Sequence, residues 1–331
     1  MRGALLCLVS AAAFGTLGVF GKLASDAGAS VTSTLFVRFA LAAAIFALIV
    51  RLTGRAAALA RLQRRAVILA LALGAGGYSL QSGLYFTAIG RLDVSMVSLL
   101  LYTYPAFVTL AALALGRAAP SLRIGAALTV ASAGLVLVLL AAGTGAFDLA
   151  GALLAIGASV TYTAYILASD RMVGSVDPFA LAALVLAGAT ATFAVTGLVT
   201  GSLDLALAGE AWLWLALMAV VSTVVAVACF FAGLRRVGPS EAAILSTFEP
   251  PVTVALAFVA LGERLTPLQL AGGALVLAAV IVLQLPRRQA SRRERTARSS
   301  PISARTQAGS NCVPAPRAIS ASATSSDSAA R

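Results

Sequence analysis

The chain has 331 residues, 60% hydrophobic and only 11% charged, with a net charge of +12 and a mean hydropathy of +0.97. Soluble domains are about 45–50% apolar and a bilayer-spanning helix needs roughly 20 apolar residues, so this composition excludes a water-soluble globular domain; the absence of strongly alternating segments excludes a barrel. Histidine is absent and the cysteines are three, Cys7, Cys229 and Cys312, which removes His-ligated metals, Ser-His-Asp triads, His proton relays and any disulfide framework.

Ten apolar runs follow one another, at residues 3–23, 33–50, 66–89, 94–116, 121–142, 149–168, 178–200, 211–233, 239–261 and 267–285. Helices are the structure that lets such runs satisfy their own backbone in lipid. The first run is preceded only by Arg2 and lacks a cleavage-site pattern, so it reads as a span rather than a signal peptide. Asp93 and Ser121 stand where N-caps belong. Pro178 and Pro239 stand at first helical positions, where the missing N–H costs nothing. Thr266-Pro267-Leu268-Gln269 has the pattern of a capping box. Trp212 and Trp214 open the eighth run, where an aromatic belt would place them.

Lysine and arginine set the expected orientation. With the N-terminus in the cytoplasm, the inner side collects Arg2, Arg51, Arg55, Arg61, Arg64, Arg65, Arg117, Arg123, Arg171, Arg235 and Arg236, together with the arginines beyond residue 286. The outer side receives only Lys22, Arg91 and Arg264, and Arg38 lies within a run. The positive-inside rule then gives both termini inside and an even number of spans. Residues 286–331 are rich in Ser, Ala, Arg, Pro and Thr and hold no Phe, Tyr or Trp. They cannot bury a core and are expected to be a disordered basic cytoplasmic tail.

The two halves repeat one another. Shifting the first half by 145 residues places Tyr85-Phe86 on Phe230-Phe231, Arg91 on Arg236, Ser95 on Ser240, Leu100 on Leu245 and Pro105 on Pro250. One residue later, Leu115-Gly116 falls on Leu261-Gly262. Small residues at Gly3, Cys7, Ala11 and Gly15 recur as Gly151, Ala155, Ser159 and Thr163, a spacing that lines one helix face for close packing. Units 1–142 and 143–285 would each hold five spans, so the second enters the membrane inverted. Inverted repeats place a solute site near the midplane, where the copies meet. The expected fold is an all-α membrane protein of about ten transmembrane helices in two inverted five-helix repeats, N-in and C-in.

These paired motifs carry a family resemblance. Tyr85-Phe86-Thr87-Ala88-Ile89, Val94-Ser95-Met96-Val97-Ser98-Leu99-Leu100 and Tyr104-Pro105 in one half answer Phe230-Phe231-Ala232-Gly233-Leu234, Ser240-Glu241-Ala242-Ala243-Ile244-Leu245 and Glu249-Pro250 in the other. Leu261-Gly262-Glu263 and Gln269-Leu270-Ala271-Gly272 continue the second set, and the first set departs from it by having Arg117 where the second has Glu263. Over residues 3–285 the chain resembles an EamA-type member of the drug/metabolite transporter superfamily. The resemblance implies a permease or exporter that moves an amino acid, another small metabolite or a drug across the plasma membrane (the inner membrane of a cell with two).

Charges inside spans cost roughly 2.5–3.5 kcal/mol at a helix centre and mark candidate sites. Glu249 lies midway along the ninth run, on one face with Ala242, Ser246 and Thr253, and precedes Pro250-Pro251. It is either a partner for a solute amine, a proton-coupled carboxylate, or a structural carboxylate bonded to neighbouring helices. Arg38 can bind a solute carboxylate or snorkel to the headgroups along its own stem. Glu241 would complement a helix N-terminus and pair with Arg235 or Arg236. Tyr78, Gln81, Tyr102, Tyr104, Tyr162 and Tyr165, with Phe248 beside Glu249, are candidate pocket walls, because polar side chains in spans must face protein or water.

There is no P-loop, CxxC pair or acidic metal cluster, so no cofactor is expected. Energy would come from a proton or an exchanged solute. The expected partners are a small-molecule solute and the lipid bilayer, with no nucleic acid. A passive channel is the alternative, and an intramembrane enzyme a more distant one.

Overall fold

The computed structural model describes residues 1–55, 62–140, 148–173 and 176–285. The tail expected to be disordered, with Cys312, and the loop bearing Arg61 lie outside them. Among the described residues, ten helices are long and apolar enough to cross a membrane. They are α1 (Arg2–Asp26), α2 (Val31–Leu52), α3 (Arg64–Ile89), α4 (Val94–Ala114) and α5 (Leu122–Leu140). The second set is α6 (Leu149–Val173), α7 (Pro178–Thr200), α8 (Gly209–Val237), α9 (Pro239–Ser246 continuing as Glu249–Leu261) and α10 (Pro267–Gln284). Every hydropathic run is a helix, with ends within a few residues of those expected.

The two halves share their irregularities as well as their helices. A wide π-helical stretch interrupts α3 at Leu73–Tyr78 and α8 at Val220–Val225. Helix α4 breaks after Leu101 and restarts at Tyr104, and α9 breaks after Ser246 and restarts at Glu249. The breaks have a local cause, since Pro105 and Pro250 lack the N–H that would bond to the carbonyl four residues earlier. The packing repeats too. Helix α1 lies on α8 and α9, and α6 lies on α3 and α4; α2 pairs with α7 and α5 with α10.

The small-residue stripes lie at these crossings, and all eight of their members are buried. A Cβ on Gly233 would meet Cys7 Sγ at 2.5 Å and the Gly3 carbonyl oxygen at 3.0 Å. Between α5 and α10, a Cβ on Gly134 would lie 2.6 Å from the Gly272 carbonyl oxygen. In lipid, where burial of apolar surface gives little drive for helix association, such close backbone approach supplies the dispersion contacts instead.

Most expected helix starts are found. Asp177 accepts hydrogen bonds from the Phe179 and Ala180 amides, and Thr266 with Gln269 forms a complete capping box. Pro178 and Pro239 are at helix starts. Ser121 Oγ is 3.4 Å from the Ile124 amide, a long contact for a cap. Asp93 does hold the N-cap position of α4, but its side chain makes no cap bond; that role passes to Glu263, from the far repeat. Trp212 and Trp214 sit in the first turns of α8, with Trp214 stacked on Phe20 at 5.7 Å. Glu241 is in the first turn of α9 as expected and exposed, yet it joins none of the ion pairs among the described residues. Arg236 donates instead to the Ala232 carbonyl of its own helix at 2.5 Å. At the end of the bundle where α3 meets α4, Arg91 bonds Asp148 at 3.0 Å, and this bond holds the Asp148 carboxyl below its ordinary range.

Candidate solute site

The break in α9 builds one end of the site. Pro250 frees the Ser246 carbonyl, and Tyr102 fills the vacancy by donating its hydroxyl to that oxygen at 2.9 Å. The same hydroxyl lies 2.8 Å from Glu249 Oε2. Tyr102 stands in the matching break of α4, so the two discontinuities, one from each repeat, bond to each other. Ser246 therefore enters through its backbone, while its own hydroxyl donates to the Ala242 carbonyl. Thr253, on the same face, donates to the Glu249 carbonyl.

From Glu249 the tyrosines run as a continuous series of ring contacts. Tyr102 meets Tyr104 at 5.7 Å, Tyr104 meets Tyr162 edge-on at 4.8 Å, and Tyr162 stacks on Tyr165 at 6.1 Å. Tyr165 meets Tyr78 at 5.5 Å, and the Tyr78 hydroxyl accepts a hydrogen bond from Arg38 at 3.2 Å. Tyr102 is buried; Glu249, Tyr78, Tyr104, Tyr162 and Tyr165 are each partly accessible. Lone ring pairs of this kind contribute about 0.5–1.5 kcal/mol. The series as a whole gives a polarisable wall with a carboxylate at one end and a guanidinium at the other.

Arg38 is 2% exposed, so the snorkelling alternative is corrected: its head is held inside the bundle. Its Nε donates to Thr223 Oγ1 at 3.0 Å, and its guanidinium lies 5.0 Å from the Phe39 ring centre and 5.8 Å from that of Phe86. No carboxylate pairs with it among the described residues. Tyr78 and Thr223 are 145 residues apart, the repeat interval, and each lies in its repeat's π-helical stretch. The two widened turns therefore present equivalent positions to one arginine.

Gln81 is buried, with its side-chain oxygen accepting from Ser82 rather than from a tyrosine of the series. Phe248 is 49% exposed and joins none of the ring contacts of the series, although Glu249 is its neighbour. Sequence reasoning missed Thr223, Phe39 and Phe86. The first had a usable signal, since the repeat register places it on Tyr78; the aromatic partners of Arg38 had none.

Ten apolar helices that enclose a buried arginine and a partly accessible glutamate make this a multi-pass membrane protein. The sequence model of the EamA-like transporter family matches residues 1–140 and again residues 149–285. The chain belongs to that family, within the drug/metabolite transporter superfamily. One solved structure, described only as a crystal structure of a protein, superposes with a TM-score of 0.60 over 85% of this chain and 95% of its own, at 20% identity; it bears on the fold alone. No curated protein matches the chain.

Proposed function

We propose that the chain is a secondary transporter that carries a small organic solute, such as an amino acid or a drug, by alternating access. The moving parts are two inverted repeats, 1–142 and 143–285, set N-in and C-in in the plasma membrane. The observation that carries this is the tyrosine series between Glu249 and Arg38, which is built from both repeats. A solute's cationic group would meet Glu249 and its anionic group Arg38, with aromatic faces between them. Discontinuous helices at a repeat seam are where transporters place such sites. A proton or an exchanged solute is the coupling species.

The test is counterflow in proteoliposomes loaded with candidate metabolites. A carrier shows saturable uptake of labelled solute that is accelerated by unlabelled solute inside. Flux that neither saturates nor shows counterflow would replace this reading with a passive channel. The orientation is checked by impermeant labelling of cysteines placed near Arg61 and near Asp148 in intact cells, with only the second expected to react.

A further inference from the structure

One end of the α4–α9 seam is tied by a residue that the transport site does not use. Gly262, with φ 72°, ends α9 in the left-handed conformation and turns the chain back toward α4. This brings the Glu263 carboxylate to the start of α4. One oxygen accepts from the Val94 amide at 2.7 Å; the other accepts from the Ser95 amide at 2.9 Å and the Ser95 hydroxyl at 2.7 Å. First-turn amides have no partner within their own helix, and a carboxylate there also meets the positive end of the helix dipole. Asp93, at the N-cap position, makes no side-chain cap bond. Partial desolvation and then the nearby Glu263 carboxylate hold it above the usual carboxylate range, with Lys22 opposing, although the residue is exposed at the surface. Residues Val94 to Leu100 are all buried, packed in part on the Glu249–Leu261 segment of α9.

The matching end of the same two helices lacks the parts of this tie. The register that places Ser95 on Ser240 places Val94 on Pro239, which has no N–H to donate. The register that places Gly116 on Gly262 places Arg117 on Glu263. Gly116 keeps the left-handed turn, with φ 68°, but the next residue, Arg117, is an exposed cation. The Tyr104–Ala114 segment packs chiefly on α6. The two ends of the seam thus have the same backbone turn and opposite chemistry.

We infer that Glu263 is a positioning residue that holds the 90–95 and 261–265 end of the seam shut, and so sets which face the resting carrier closes. The inference rests on the carrier reading above. Opening the held end surrenders three hydrogen bonds to one carboxylate together; among the described residues, no side chain caps the start of α9 in the same way. The resting chain therefore keeps the held end closed and parts at the end bearing Arg117 and Glu241.

Distances between spin labels test this in the full-length chain, in lipid nanodiscs without solute, with Cys7, Cys229 and Cys312 replaced. One label pair is placed at exposed Gly90 and Leu268, the other at exposed Ala114 and Arg235. Glu263→Gln keeps the side-chain volume and is expected to raise the population with a long 90–268 distance roughly tenfold, the equivalent of one charge-assisted hydrogen bond. The 114–235 distance should shorten in the same population, and Glu263→Ala should go further if it folds. Thermal unfolding is followed on the same samples. A lower unfolding temperature with both distance distributions unchanged would make Glu263 a helix cap and nothing more. Unchanged distributions with unchanged stability would equally overturn the inference. Since no flux is measured, these outcomes stand apart from failure of the carrier reading, which counterflow decides.

Discussion

Replacing Glu249 by Gln removes a charge while keeping a hydrogen-bond acceptor beside Tyr102. In the native chain the one Tyr102 hydroxyl proton is shared between the Ser246 carbonyl, at 2.9 Å, and Glu249 Oε2, at 2.8 Å. A hydrogen bond to a charged group contributes about 1.5–3 kcal/mol and a neutral one about 0.5–1.5 kcal/mol, so the loss of stability should be near 1 kcal/mol. Insertion and expression should stay close to native. The effect on a bound cationic solute is larger in kind, because its ammonium loses its charged partner altogether. At about 1.5–3 kcal/mol this weakens binding roughly ten- to 150-fold. The assay is initial flux per inserted molecule in proteoliposomes at several pH values. The expected result is a strong loss of flux at low solute with a flattened pH dependence. Glu249→Ala should destabilise more, since the Tyr102 hydroxyl then has only the Ser246 carbonyl; Ser246 itself keeps its bond to Ala242. Native flux and native pH dependence in the Gln variant would reduce Glu249 to a structural residue.

Two further outcomes are expected from the geometry. Arg38→Lys retains the charge but cannot bond Thr223 and Tyr78 with one planar fork. It should cost about 1.5–3 kcal/mol, the range for one hydrogen bond to a charged group, since Thr223 still bonds the Met218 carbonyl, and should lower flux; native thermal stability and flux would show that the fork is not needed. Gly74→Ala would drive a Cβ into the Val185 carbonyl oxygen, whereas a Cβ on Gly125 meets nothing within 4 Å. The first should lose about 1–3 kcal/mol by overpacking and the second almost nothing; equal unfolding temperatures for the two variants would contradict the α3–α7 packing.

Much of this fold is written in local signals. All ten spans, the proline-led starts of α7 and α9, the capping box of α10 and the repeat register are of this kind, and each is found in the folded chain. The register even carried information about the site, because Tyr104 falls on Glu249 and both residues restart a broken helix. Family membership came from the same paired motifs. What no window of sequence contains is which side chains meet across helices. Arg38 and Thr223 are 185 residues apart, Tyr102 and Glu249 are 147 apart, and Val94 and Glu263 are 169 apart. A charged residue in an apolar run is equally consistent with a path to the headgroups and with burial against another helix, and only packing chose burial for Arg38. Likewise Asp93 has the right residue type for a cap, but a carboxylate from the other repeat reaches the same amides. Hydropathy determines that these segments enter the bilayer as helices because each must bond its own backbone there. The partners of the few polar groups are decided by the close approach of helices, which small residues permit and only the assembled bundle realises.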